Sequence, residues 1–192
     1  MSNVNKIDWV GDVRVAFPLF QKDCIIEIPS SPLKLIIEET NLERVIELNN
    51  LWHSSLPRVS FKNIIRSEYK VYYWAHYKNI IYAVALWTSP IGSFKKYSEI
   101  LELRRLAISD DAPKFTASRM LSVMIKMIKI KFPQIKRLIS YQDMQAHNGI
   151  IYKAANWRKT SIVKADIWNI SRPDRNKPQI ISKKTRWEYL IK

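Results

Sequence analysis

Two stretches of this chain bring together residue types that can move a proton or hold an anion. In the first, Tyr141 and Asp143 close an apolar run, His147 follows, and Tyr152 lies in a short segment ending at Asn156. Asp143 falls just past the end of a predicted strand. It suits a general base or an orienting carboxylate, or else a turn or helix cap. His147 suits a proton relay or a cap, and Tyr152 a general acid or a buried anchor of its helix. Strand alternation points Tyr141 either into the same cleft or into the core. The second stretch is Lys114–Arg119. There a predicted strand ending at Ile108 feeds a predicted helix starting near Thr116. Unpaired N–H groups and the helix dipole make such an end an anion site, with Lys114, Thr116, Ser118 and Arg119 around it. The alternative is plain capping by Thr116.

The elements that must position these groups read as α/β, in the order β-α-α-β-β-β-α-β-α-β-β. Leu33–Glu38 is a β-branched strand, and Thr40 or Asn41 caps a helix with Leu42, Val45, Ile46 and Leu48 inward, ending near Trp52. A short helix is expected at residues 61–66. Val71–Tyr77 and Ile80–Trp87 form a hairpin about Lys78-Asn79. Glu99–Ile108 is a strand, and Thr116–Phe132 has helical period with Met120, Leu121, Met124 and Met127 on one face. Ile135–Tyr141 is a strand, Asn148–Ala155 a short helix, and Trp157–Ile170 and Ile180–Ile191 are strands. Asn156 can take the left-handed conformation that normally calls for glycine, after which Trp157 enters the core. Residues 1–192 are expected to form one domain, with an extension at 1–32 and a basic loop and strand at 171–192.

The chain has 192 residues, 47% of them apolar, and a net charge of +15. That is too apolar for disorder, and so strong a surplus of cations points to a phosphate polyanion as partner. The surplus is uneven. Residues 153–192 hold eleven basic and three acidic side chains, with Trp157, Trp168, Trp187 and Tyr189 among them. Cations interleaved with flat rings suit a nucleic-acid surface. The single cysteine, Cys24, excludes an intrachain disulfide, and Cys24, His53, His76 and His147 have no zinc-ligand spacing, so no metal is expected. No segment is apolar enough to span a bilayer and the N-terminus is no signal peptide, so a soluble cytoplasmic protein without a membrane partner is expected.

The run Tyr152-Lys153-Ala154-Ala155-Asn156-Trp157, with the hairpin and strand-helix-strand order before it, resembles the GNAT superfamily of N-acyltransferases over about residues 33–170. That resemblance implies a mixed central sheet of about seven strands with a splayed parallel pair, flanked by about four helices. It implies a donor of the acetyl-coenzyme A kind, or another acyl- or glycyl-type donor, and gives Tyr152 the task of protonating the departing thiolate. Arg105, Lys114, Thr116, Ala117, Ser118, Arg119 and Asn156 would hold that donor. The superfamily's donor loop is glycine-rich, whereas here none of Gly11, Gly92 and Gly149 lies in the loop, and Ala117 and Ser118 are the smallest residues offered.

A narrower resemblance covers about residues 101–160. Leu103–Lys114 with Thr116–Arg119, then Ser140-Tyr141-Gln142-Asp143, His147-Asn148-Gly149 and Tyr152–Trp157, are similar to the phage Mom-type DNA-modification family. It implies a carbamoylmethyl- or acyl-type group placed on adenine N6 in DNA, protecting phage or mobile-element DNA from restriction. Adenine's amine is a poor nucleophile buried in a duplex, so a base, a placed donor and an unstacked nucleotide are needed. Asp143, Tyr152, Tyr141 and His147 are the candidate catalytic set. Consecutive Arg104 and Arg105 are expected to face opposite ways, one toward the cleft. His53, Arg58, Arg104, Lys159, Arg172 and Arg175 are the candidate DNA contacts. A GNAT acetyltransferase acting on a protein or small amine, and a non-catalytic nucleic-acid-binding module, are the alternatives; a homodimer is left open.

Overall fold

The computed structural model describes residues 14–15, 28–52, 64–90, 98–163 and 182–191. Its centre is one mixed sheet whose main path runs β2 (Ile36–Glu39), β3 (Lys70–Tyr77), β4 (Ile80–Thr88), β5 (Ile100–Ile108), β6 (Arg137–Asp143), β8 (Lys184–Leu190), β7 (Arg158–Val163). A two-residue strand, β1 (Arg14–Val15), pairs in parallel with β4 off this path. Within the seven-strand path only β5 and β6 are parallel. A parallel pair needs a long crossover, and helix α2 (Thr116–Lys131) supplies it.

Two apolar layers flank the sheet. On one side α2 and the short α3 (Ile150–Ala154) cover Tyr73, Ala85, Trp87, Leu101, Leu103, Leu138 and Trp187. Met120, Leu121 and Met124 of α2 are fully buried there and Met127 packs at the margin, as the helical spacing predicts. On the other side α1 (Leu42–Trp52) presses Val45, Ile46 and Leu48 onto Ile81, Val84, Leu86 and Ala107. The two faces are called the α2 side and the α1 side below.

Local chemistry explains most boundaries. Asn41 accepts the Arg44 N–H at 2.9 Å, so it is the cap of α1. Lys78 and Asn79 have φ of 47° and 64°, the paired left-handed turn that matches strand twist. The expected strand at Leu33 begins later: Ser31 and Pro32 start a 3-10 turn over Pro32–Lys34, and pairing starts at Ile36. β6 runs on to Asp143 instead of ending at Tyr141, because β8 pairs with it as far as Asp143↔Lys184. Three α-helices lie wholly among the described residues, and Ile64 and Ile65 are helical within the segment 61–66 expected as a further helix. The segment expected as a further helix is described only from residue 64 onward, and residues 164–181 lie outside the described residues. No described helix is long and apolar enough to cross a membrane.

Replacing Asn79 by a β-branched residue forces that residue into the left-handed turn. Asn79→Val is expected to cost about 1–2 kcal/mol, read as a lower denaturation midpoint with an unchanged far-UV spectrum.

Candidate active site

The site grows out of one break in the sheet. The parallel ladder runs Ile100↔Arg137, Leu101↔Leu138, Glu102↔Ile139, Leu103↔Ser140, and there it stops. β5 continues to Ile108 held only by β4, and β6 continues to Asp143 held only by β8. The two strands therefore fork beyond Leu103 and Ser140. The splay expected of the parallel pair thus starts at Arg104 on β5 and at Tyr141 on β6.

A bulge marks that residue. Leu86 pairs with Arg105 and the next residue, Trp87, pairs with Leu103, leaving Arg104 as the extra residue on β5. A bulge resets strand alternation, so Glu102 and Arg105 both lie on the α1 side while Leu103 and Leu106 both lie on the α2 side. The expectation that Arg104 and Arg105 face apart is thereby corrected. Arg104 Nε is 3.5 Å from Glu102, and the charges of both arginines act on that carboxylate. Burial still pushes the Glu102 carboxyl above the usual range against the pull of these cations.

On the α2 side, Tyr152 reaches the last rung of the ladder. Its hydroxyl is 2.9 Å from Ser140 Oγ, which donates to the Leu103 carbonyl at 3.3 Å. Its ring stacks on Trp187 (5.3 Å, 14°) and meets Trp157 edge-on at 5.6 Å. Burial pushes the phenol pKa up, and the Ser140 bond offsets part of that rise, so Tyr152 keeps its proton at neutral pH. Gln142 holds the arrangement together. Its amide donates to the His147 carbonyl, and its oxygen accepts the Trp187 indole N–H at 2.7 Å. Gly149 (φ 74°) opens α3 against these two groups; a Cβ there would meet Gln142 Oε1 and Trp187 Cζ2 at 2.5 Å.

The start of α2 differs from expectation. Thr116 does not cap it: its buried hydroxyl donates to Pro113 O at 2.6 Å, and Ser118 donates to Phe115 O at 3.0 Å. The capping position is Phe115, at φ 69°, with no side-chain bond to the helix and a ring that is 74% exposed. The left-handed backbone that usually calls for glycine is thus present without one. Lys114 is exposed, Ala117 buried and Arg119 half-buried, its Nε without a hydrogen-bond partner. Asn156 is exposed and left-handed at 61°, as predicted, and Trp157 is buried. Arg105 parts from this group, because the bulge turns it to the α1 side beside Glu102.

The sequence pattern of the Mom protein family matches residues 80–188, more than half of the chain and the whole of the fork. This chain belongs to the Mom protein family. No curated protein matches it. Its fold is that of GNAT acetyltransferases. An N-acetyltransferase from Staphylococcus aureus Mu50 superposes with a TM-score of 0.61 at 14% identity, over 82% of this chain and 99% of that one. The ribosomal-protein-alanine N-acetyltransferase of Brucella melitensis gives 0.61 at 11% identity, over 82% and 100%. A Bacillus subtilis acetyltransferase in complex with CoA gives 0.58 at 14% identity, over 82% and 99%.

In this Mom-family chain the predicted catalytic residues divide between the faces. Tyr141 and Asp143 follow Ile139 by strand alternation and lie on the α1 side, across the sheet from Tyr152. Asp143 is the last residue of β6 rather than one beyond it. Partial burial pushes its pKa up, but bonds from Ser182 Oγ (2.5 Å) and the Gln145 and Ala146 N–H groups, with the charge of Lys184, hold it below the usual range. It is a turn anchor that stays ionised. His147 is exposed and its N–H donates to the Asp143 carbonyl. On the same α1 side, β5, β6 and β8 also carry Glu102, Arg104, Arg105, Arg137, Lys184, Arg186 and Glu188, with Lys184 opposite Asp143. Arg186 pairs with Glu188 at 2.7 Å, and the Nε atoms of Arg105 and Arg186 are buried without hydrogen-bond partners. Lys159 is exposed on β7. His53, Arg58, Arg172 and Arg175 lie outside the described residues. Among the described residues, no group of three His, Cys, Asp or Glu side chains is placed to hold a metal.

Sequence reasoning gave no role of their own to Glu102, Ser140 and Gln142, and read Trp187 as one ring of a nucleic-acid surface, whereas it is buried against Tyr152. A signal for the first was present: Leu101, Leu103, Leu106 and Ile108 break the two-residue spacing where the bulge falls.

Two outcomes follow. Gly149→Ala is expected to destabilise by about 1–3 kcal/mol, seen as a lower unfolding temperature, because the methyl meets Trp187 and Gln142. Asp143→Asn is expected to lower stability at pH 7. The deficit shrinks as pH falls below 3.8 toward the depressed folded value, since a lowered carboxylate pKa stabilises only while the group is ionised; a deficit that persists unchanged at pH 2 contradicts this.

Proposed function

We propose that this chain is an acyltransferase-like enzyme that places a small carbamoylmethyl- or acyl-type group on adenine N6 in DNA. The observation that carries the reading is a coincidence of position: the residues matching the Mom family span the fork, and a phenol kept neutral by burial stands at its last rung. The consequence of such a mark is protection of the DNA that bears it from restriction.

The residues present fit a donor of the acyl-coenzyme A kind. The α2 start offers uncapped backbone N–H groups, the exposed Lys114 and the left-handed turn at Phe115. When bound, such a donor would supply an activated acyl carbon, whose transfer gives an N6-acyl adenine, and a thiolate leaving group. Tyr152 gives that thiolate its proton. DNA approaches from the α1 side, where Arg104, Arg105, Arg186 and Lys184 meet its phosphates. Glu102, on that side and with its pKa raised, takes the proton that adenine's amine loses. Asp143, ionised and fixed, orients the acceptor, with Tyr141 beside it on β6. Separation of donor and acceptor by the sheet, joined only through the fork, lets each be held by its own residues.

The test is mass spectrometry of nucleosides from cells expressing the protein. A new adenine adduct is expected. It should fall about 100-fold or more in Tyr152→Phe and drop in Asp143→Asn while salt-sensitive duplex binding persists. Unmodified DNA with acetylated protein would replace this reading by a protein acetyltransferase. Salt-sensitive DNA binding without any adduct would replace it by a binding module.

A further inference from the structure

Tyr152 cannot release a proton into a buried apolar setting unless the phenolate it leaves is stabilised. Among the described residues, Ser140 is the group hydrogen-bonded to its hydroxyl. Ser140 Oγ lies 2.9 Å from the Tyr152 hydroxyl and 3.3 Å from the Leu103 carbonyl. A carbonyl only accepts, so the serine proton points to Leu103, and the tyrosine must be the donor in the Tyr152–Ser140 bond. Ser140 is itself buried, and Trp187 and Trp157 cover the tyrosine ring.

We propose that Ser140 is a positioning residue that switches its hydrogen bond during transfer, which deepens, and rests on, the reading of Tyr152 as the acid. Before reaction Tyr152 O–H donates to Ser140 Oγ, and Ser140 O–H donates to Leu103 O. As the thioester C–S bond breaks and the new C–N bond forms, the Tyr152 proton passes to the leaving sulfur, giving a thiol and a phenolate. Ser140 O–H turns from the carbonyl to the phenolate oxygen, a rotation about one bond that moves no heavy atom of the backbone. The proton lost by the acceptor amine goes to Glu102, and the phenolate regains one from solvent as Glu102 releases its own, so overall one proton leaves nitrogen and one is gained by sulfur. The end of the β5–β6 ladder explains the placement: Leu103 and Ser140 are its last pair, so serine, carbonyl and phenol meet where the strands part.

The experiment compares the initial rate of adenine-adduct accumulation in cells expressing wild type, Ser140→Ala or Ser140→Cys at matched protein levels, with unfolding temperatures of the purified chains. Cysteine keeps the shape of serine but is a weak donor. Both variants are expected to unfold within about 5 °C of wild type and to lose about 10- to 100-fold in rate, the scale of one hydrogen bond to a charged group. Ser140→Thr, which keeps the hydroxyl, is expected to recover most of it. A Ser140→Cys rate equal to wild type, or a Ser140→Ala loss matched by gross unfolding and not relieved by threonine, overturns the switch. A wild-type chain that makes no adduct overturns the functional reading itself. An active wild type with an equally active Ser140→Ala overturns only the switch.

Discussion

Everything at this site depends on a ladder that stops early. β5 and β6 share four rungs, and each strand then continues with its other neighbour alone. Leaving backbone groups unpaired between adjacent strands is costly unless something else satisfies them. The fold meets that cost by giving each strand an antiparallel partner on its far side, β4 and β8, that persists past the break. The bulge at Arg104 adds local twist where the strands separate, and the Ser140–Tyr152 contact fills the α2 side of the crotch.

The two faces of the fork have opposite physical character. On the α2 side Tyr152 is enclosed by Trp187 and Trp157 and its proton is held by burial. One amide, Gln142, ties the indole of Trp187 to the loop before α3, so helix, loop and C-terminal strand cannot shift independently. Gly149 is the only residue type that fits between them. On the α1 side the same strands present a row of arginines and carboxylates, which only a solvated or anionic partner can cover favourably. A single bulge produces this contrast by sending Glu102, Arg104 and Arg105 to the same side.

Local signals were legible and non-local ones were not. Lys78-Asn79, Asn156 and the methionine row of α2 were read correctly because each depends on residues a few positions apart. Tyr152 stood out through its short motif. Its supports did not: Trp187 lies in the last strand, and only the β6–β8 pairing carries it over Gln142 and Tyr152. Asp143 was legible only in part: the turn alternative fits its bonds from Gln145 and Ala146, but Ser182, which also holds it, is remote in sequence. Thr116 matched the usual capping preference, yet Pro113 claimed its hydroxyl and Phe115 took the cap position. The division of Tyr152 from Asp143 across the sheet followed from strand parity once β6 was seen to run through Asp143.

The most direct measurement is a structure of the full chain bound to coenzyme A and an adenine-containing duplex. The account requires the coenzyme's sulfur within hydrogen-bond reach of the Tyr152 hydroxyl on the α2 side, and the acceptor adenine on the Glu102 side, the two meeting through the fork. A sulfur far from Tyr152, or a duplex lying on the α2 face with the row around Arg186 left in water, would contradict it.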